Sequence, residues 1–176
     1  LANGSNSLSV TNVENLNGSD FAGSSDDTLT LLNNVSGVSI NLGNGANTLN
    51  LAAGANTLDN AFNLTTINGT GSDDTLTLVN GVYQSMIDLG GGTDTLVLTN
   101  PTGFSMLGLA GVENVTGGTA DDYIVLQNAV TGVAFDLGIG NDTLNLVDGT
   151  NDVGVIGVET INGSDFSASS DDTLTL

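Results

Sequence analysis

Short runs in which apolar and polar residues alternate recur along the whole chain. In "DTLTL", beginning at Asp27, Leu29 and Leu31 fall on one face and Thr28 and Thr30 on the other, which is the period-two signature of a strand with one buried side. "ANTLNL", "TDTLVL", "DDYIVL" and "NDTLNL" repeat the pattern, and no segment has a helical period. The branched apolar residues Leu29, Leu49, Leu76, Leu96, Ile124, Leu144 and Leu174 form one series with a mean step of about 24. Leu16, Leu42, Ile67, Leu89, Val115, Leu137 and Ile161 form a second, out of phase with the first and with the same mean step. Each unit reads as strand, Gly/Asx turn, strand and connection. Two short strands cannot bury an apolar face alone, whereas stacked units share one continuous core. The pattern predicts an all-β parallel β-solenoid of about seven coils of ~24 residues, with two short strands per coil.

Longer repeats are superimposed. "DDTLTL" starts at Asp26, Asp73 and Asp171, and its variant "DDYIVL" at Asp121, so the starts lie 47, 48 and 50 residues apart. "VENLNGSDFAGSSDDTLTL" at Val13 and "VETINGSDFSASSDDTLTL" at Val158 agree at 15 of 19 positions, 145 residues apart. Residues 1–176 therefore read as a single continuous segment of a longer array, with coils in pairs of ~48 residues.

Charge sharpens the picture. Twenty acidic side chains and no lysine, arginine or histidine give a net charge of −20. No side-chain cation exists to pair a carboxylate, so solvent, salt or metal must relieve the repulsion. Nucleic acid is excluded as a partner because nothing here could neutralise a phosphate, and an anionic membrane surface is excluded likewise. No apolar run approaches the length of a membrane span, so no membrane insertion is expected. Without cysteine there are no disulfides or thiolate sites. With no histidine, lysine, cysteine or arginine to act as base, nucleophile or anion clamp, and with the carboxylates spread over every turn, the chain reads as a non-enzyme.

The turns supply the candidate chemistry. "LGGGTDTLVL" at Leu89, "LGIGNDTLNL" at Leu137 and "LGNGANTLNL" at Leu42 put glycines before an Asp or Asn that opens a strand. Stacked at a rung spacing of about 4.8 Å, such turns layer carboxylate and carbonyl oxygens, and hard oxygen ligands in a flexible loop suit Ca²⁺. The turns resemble the G-G-x-G-x-D-x-U-x nonapeptide of the repeats-in-toxin family. The matches are Gly90, Gly92, Asp94 and Leu96; Gly138, Gly140, Asp142 and Leu144; and Gly43, Gly45, Asn47 and Leu49, followed nine residues on by Gly54, Asn56 and Leu58. That resemblance implies a β-roll-like fold that binds calcium between turns, and bacterial export. Leu42, Leu89 and Leu137 replace the family's first glycine, Asn47 and Asn56 replace its aspartate, and the spacing of 20 and then 27 to 30 departs from a steady nine.

The candidate calcium ligands are Asp94, Asp142, Gly92, Gly140 and Asn47, with the pairs Asp26/Asp27, Asp73/Asp74, Asp121/Asp122 and Asp171/Asp172. A rival reading has Asx side chains capping the coils through local hydrogen bonds, without metal. Against it, carboxylates ~5 Å apart repel by roughly 1 kcal/mol in water and about 3 kcal/mol at an effective dielectric of 20. Glu14, Glu113 and Glu159 share one phase of the repeat, where Thr65 also falls, and read as solvated. Asp88 and Asp136 point outward. The expected function is a calcium-stabilised structural module of the bacterial cell surface, part of a surface layer, filament, sheath or adhesin stalk, associating with itself or continuing the same array. Two alternatives stand beside it. One is a calcium-dependent ice-binding solenoid, for which Thr28, Thr48, Thr75, Thr95, Thr143 and Thr173 would stack as a ladder. The other is the secretion module of an exported enzyme.

Overall fold

The computed structural model describes residues 1–2, 4–18, 25–100, 105–163 and, as backbone, 173–175. Asp171 and Asp172 lie outside the described residues. In chain order the strands are β1 (Ser5–Leu8), β2 (Asn15–Asn17), β3 (Thr28–Leu31), β4 (Val38–Asn41), β5 (Thr48–Asn50), β6 (Ala55–Phe62), β7 (Thr66–Thr70), β8 (Thr75–Leu78), β9 (Tyr83–Gly90), β10 (Thr95–Leu98), β11 (Ser105–Ala110), β12 (Asn114–Thr116), β13 (Asp122–Leu126), β14 (Thr131–Asp136), β15 (Thr143–Asn145), β16 (Asp152–Ile156), β17 (Thr160–Asn162) and β18 (Thr173–Thr175). Odd-numbered strands form one nine-stranded sheet and even-numbered strands the other, each in sequence order. Neighbours in both sheets run parallel, as in the pairs β3–β5 and β8–β10. The fold is the all-β parallel solenoid that alternation predicts, with no helix among the described residues.

Inward residues stack in rows along the axis. Leu29, Leu49, Ile67 and Ile87 register in the odd sheet, and Leu76, Leu96, Val115, Phe135 and Val155 in the even sheet. All nine are buried, and they belong to one apolar cluster between the sheets. Burial of such a side chain contributes about 1.5–3 kcal/mol, and it is available only once a neighbouring coil covers each row.

The registers refine the coil length. Partners in adjacent strands are commonly 20 residues apart, as in Leu29 to Leu49 and Leu76 to Leu96. The mean step of 24 in the sequence averages one full coil with the one and a half coils that carry the next phrase to the other sheet. Leu29 and Leu49 are in the odd sheet, Leu76 and Leu96 in the even, Ile124 and Leu144 in the odd, and Leu174 in the even. A phrase that recurs every 48 residues thus spans about two and a half coils, and successive copies face opposite ways. The expected threonine ladder is divided for the same reason. Thr28, Thr48 and Thr66 align in the odd sheet, Thr75 and Thr95 in the even, and Thr143 and Thr160 in the odd again.

Candidate functional site: the acidic turns

Half-coil alternation gives the solenoid two turn edges. Asp27, Asn47, Asp122 and Asp142 lie where the chain passes from the even to the odd sheet, and Asp74 and Asp94 where it passes from odd to even. Each of these six side chains is buried. They hold successive coils together through backbone amides rather than through one another.

On the odd-to-even edge the chain of donors is continuous. Gly54 N–H donates to Asp74 Oδ1 at 2.6 Å, Asp74 N–H to Asp94 Oδ1 at 2.7 Å, and Asp94 N–H to Glu113 Oε2 at 2.7 Å. The other edge repeats the arrangement. Asp122 N–H donates to Asp142 Oδ1 and Asp142 N–H to Glu159 Oε2, both at 2.7 Å. Near the N-terminus, Gly4 N–H donates to Asp27 Oδ1, and Asp27 N–H donates to Asn47 Oδ1 at 2.9 Å. The first aspartate of each described pair is exposed and reaches one coil onward: Ala46 N–H donates to Asp26, Thr93 N–H to Asp73 and Asn141 N–H to Asp121, at 2.8–2.9 Å. These bonds are the Asx caps of the rival reading. No three or more carboxylates among the described residues gather as a metal-holding group.

The glycines make room for this stacking. Gly92 sits at φ +137°, and a Cβ there would press on Ser72 C and Asp73 N at 2.7 and 2.8 Å. At Gly140 a Cβ would come 2.8 Å from both Ala120 O and Asp142 Oδ1. Both glycines therefore let one turn approach the next.

Glu113 and Glu159, at a phase of the repeat that reads as solvated, each accept the backbone N–H of a buried aspartate. A signal for this was present in the spacing. Acidic Asp94 and Asp142 are followed 19 and 17 residues on by acidic Glu113 and Glu159, while neutral Asn47 is followed 18 residues on by neutral Thr65.

Burial pushes the Asp94 carboxyl above its ordinary value, and the charges of Glu113, Asp74 and Asp73 add to the rise against the lowering Asp74 N–H bond. Asp142 is raised by burial and by Glu159 and Asp121, against the Asp122 N–H bond. Asp122 is pushed up to about 6, chiefly by burial, with Asn100 and Ser105 hydrogen-bonding it and opposing the shift. Asp94 Oδ2, Asp122 Oδ2 and Asp142 Oδ2 are buried with no hydrogen-bond partner. An ionised oxygen left in that state is costly, so these atoms are where a cation would fit, with backbone carbonyls completing its shell. No helix long and apolar enough to cross a membrane occurs among the described residues. No family model, curated protein or solved structure matches this chain.

Proposed function

We propose that the chain is a structural repeat module of a bacterial cell surface, a segment of a layer, filament, sheath or adhesin stalk, stabilised by calcium at its acidic turns. The observation that carries this reading is the set of buried, unpartnered carboxylate oxygens of Asp94, Asp122 and Asp142 in a molecule of net charge −20 with no basic side chain. A divalent ion that binds only the stacked coils adds stability in proportion to RT ln(1 + [L]/Kd). The polyanionic chain would thus fold on meeting the millimolar calcium outside a cell. The split threonine rows give the ice-binding alternative less to stand on.

Thermal unfolding followed by far-ultraviolet circular dichroism tests the reading in chelator, in millimolar CaCl₂, and in NaCl of matched ionic strength. Calcium should raise the midpoint well beyond the screening effect of NaCl. Equal midpoints in chelator and calcium overturn the proposal.

A further inference from the structure

Three of the buried asparagines share one hydrogen-bond rule. Asn47 Nδ2 donates to Gly43 O at 3.1 Å, Asn56 Nδ2 to Ala52 O at 2.7 Å and Asn151 Nδ2 to Val147 O at 2.7 Å, so each amide closes onto the carbonyl four residues earlier. Asn47 Nδ2 also donates to Asn63 O, on the next coil, at 2.9 Å. Asp74, a carboxylate at the same kind of position, instead accepts from Thr70, four residues earlier, through its N–H at 2.7 Å and its hydroxyl at 2.8 Å. Asp94 and Asp142 have neither solution.

The backbone around Asp94 and Asp142 nevertheless repeats that of Asn47. The carbonyl of Asn47 accepts the N–H groups of Thr65 and Thr66, that of Asp94 those of Glu113 and Asn114, and that of Asp142 those of Glu159 and Thr160. Two residues before each donating segment the chain is left-handed, at Asn63 (φ 54°), Gly111 (φ 55°) and Gly157 (φ 61°). Gly43, Gly90 and Gly138, each four residues before the Asx, have φ of 88°, 95° and 87°. A Cβ on Gly111 would lie 2.7 Å from Gly90 O, so those two turns are in contact. Oδ1 is used identically in all three, accepting the N–H of Asp27, Asp74 or Asp122. Oδ2 of Asp94 and Asp142 therefore takes the place of the Asn47 amide nitrogen, among carbonyls that expect a donor.

We propose that Glu113 and Glu159 are the second carboxylates of two divalent-cation sites, one on each edge. One is formed by Asp94, Glu113 and the carbonyls of Gly90 and Gly111, the other by Asp142, Glu159 and the carbonyls of Gly138 and Gly157. This rests on the calcium reading above and narrows it. The ion does at these two rungs what the amide of Asn47 does at its own, and the exposed first members of the described pairs, Asp26, Asp73 and Asp121, are hydrogen-bonding caps rather than ligands. Burial first, and then the charge of the neighbouring glutamate, raise the proton affinity of Asp94 and Asp142.

Equilibrium dialysis and calorimetric titration of the chelator-treated chain with CaCl₂ test the assignment, with circular dichroism confirming the fold of each variant. Wild type should take up two ions. Glu113→Gln with Glu159→Gln should weaken uptake by about tenfold or more, and Asp26→Asn with Asp73→Asn and Asp121→Asn should leave it unchanged. Asn47→Asp with Thr65→Glu should add a third ion. Asp94→Asn with Asp142→Asn should abolish uptake and raise the unfolding midpoint in chelator, because each new amide acquires the role of Asn47. Wild type that binds no calcium defeats the calcium reading and this inference together. Two ions retained at full affinity after both glutamates are replaced defeat the inference alone.

Discussion

Replacing Asp74 and replacing its neighbour Asp73 should have very different costs in the absence of metal. Asp74 is buried and accepts three hydrogen bonds: from Gly54 N at 2.6 Å, Thr70 N at 2.7 Å and Thr70 Oγ1 at 2.8 Å. Asp74→Ala removes all three acceptor contacts and leaves two partly buried amides without a partner, at about 1–3 kcal/mol each. Water can reach part of that surface, so the expected loss is about 3–4 kcal/mol. Asp73 is exposed and accepts one bond, from the exposed Thr93 at 2.8 Å, which water can replace. Asp73→Ala should cost about 0.5–1 kcal/mol. Both variants remove one negative charge from the same turn, so relief of general repulsion cancels in the comparison. With a urea slope near 2 kcal/mol per molar, the midpoints should fall by roughly 1.5–2 M and by at most about 0.5 M. Solenoids can unfold in parts, so the assay pairs urea denaturation in chelator with amide exchange at Gly54 and Thr70, which should lose protection in the Asp74 variant alone. Equal midpoint losses, or a loss for Asp74→Ala that appears only when calcium is present, would refute the capping role.

Gly69 and Gly71 offer a steric contrast within one turn: a Cβ on Gly69 would run into Leu89 O and lie 2.8 Å from Leu89 Cα, whereas one on Gly71 meets nothing within 4 Å. Gly69→Ala should destabilise by about 1–3 kcal/mol and Gly71→Ala should be neutral or stabilising by up to about 1 kcal/mol, as read by thermal unfolding. Leu96 is fully buried between the registered Leu76 and Val115, so Leu96→Ala should cost about 2–5 kcal/mol, and amide exchange should show the loss concentrated in β8, β10 and β12 rather than β3. The Asp122 carboxyl, ordinarily near 3.8, is held at about 6 in the fold. Between those values the folded chain keeps a proton that the unfolded chain releases, so stability in chelator is greatest below the window and falls as pH rises through it. Asp94 and Asp142, also raised by burial, add to the fall in the same direction; the share of Asp122 is at most about 3 kcal/mol, and Asp122→Asn should remove that share in urea melts taken from pH 3.5 to 7.

Strands and core were legible because alternation is local: Thr28 to Leu31 cannot present its leucines inward in any other way. The coil length was not, because the repeated phrase and the coil are out of step. Strand β9 fills a rung without carrying the phrase, and it places the buried Ser85 in register with Leu107 of β11. At the turns, the residue types were readable but their partners were not. Glu113 looks like a surface residue until a coil of 19 residues brings it against the Asp94 amide. The difference between Asn47 and Asp94, a single functional group in sequence, becomes in three dimensions the difference between a closed hydrogen-bond circuit and an orphaned oxygen.

The half-coil offset also answers how so acidic a chain can stack at all. Had each phrase spanned a whole number of coils, every Asp pair and its glutamate would lie on one edge, carboxylate above carboxylate. Instead Asp74, Asp94 and Glu113 occupy three consecutive rungs of the odd-to-even edge, where the opposite edge carries Thr65, Ser85 and Ser105. Asp122, Asp142 and Glu159 then occupy the next three rungs of that opposite edge, where the register of Glu113 continues into Val133 and Val153. Acidic runs on the two edges are thereby staggered along the axis and separated by about a strand's length, roughly 15 Å, which exceeds the screening length of about 8 Å at physiological salt. The buried acidic positions at the turns are thereby divided into runs of three rungs, and the two runs that contain an orphaned aspartate oxygen are the two that end in a glutamate. On the proposed two-site reading, one divalent ion would serve each of these runs, at Asp94 with Glu113 and at Asp142 with Glu159.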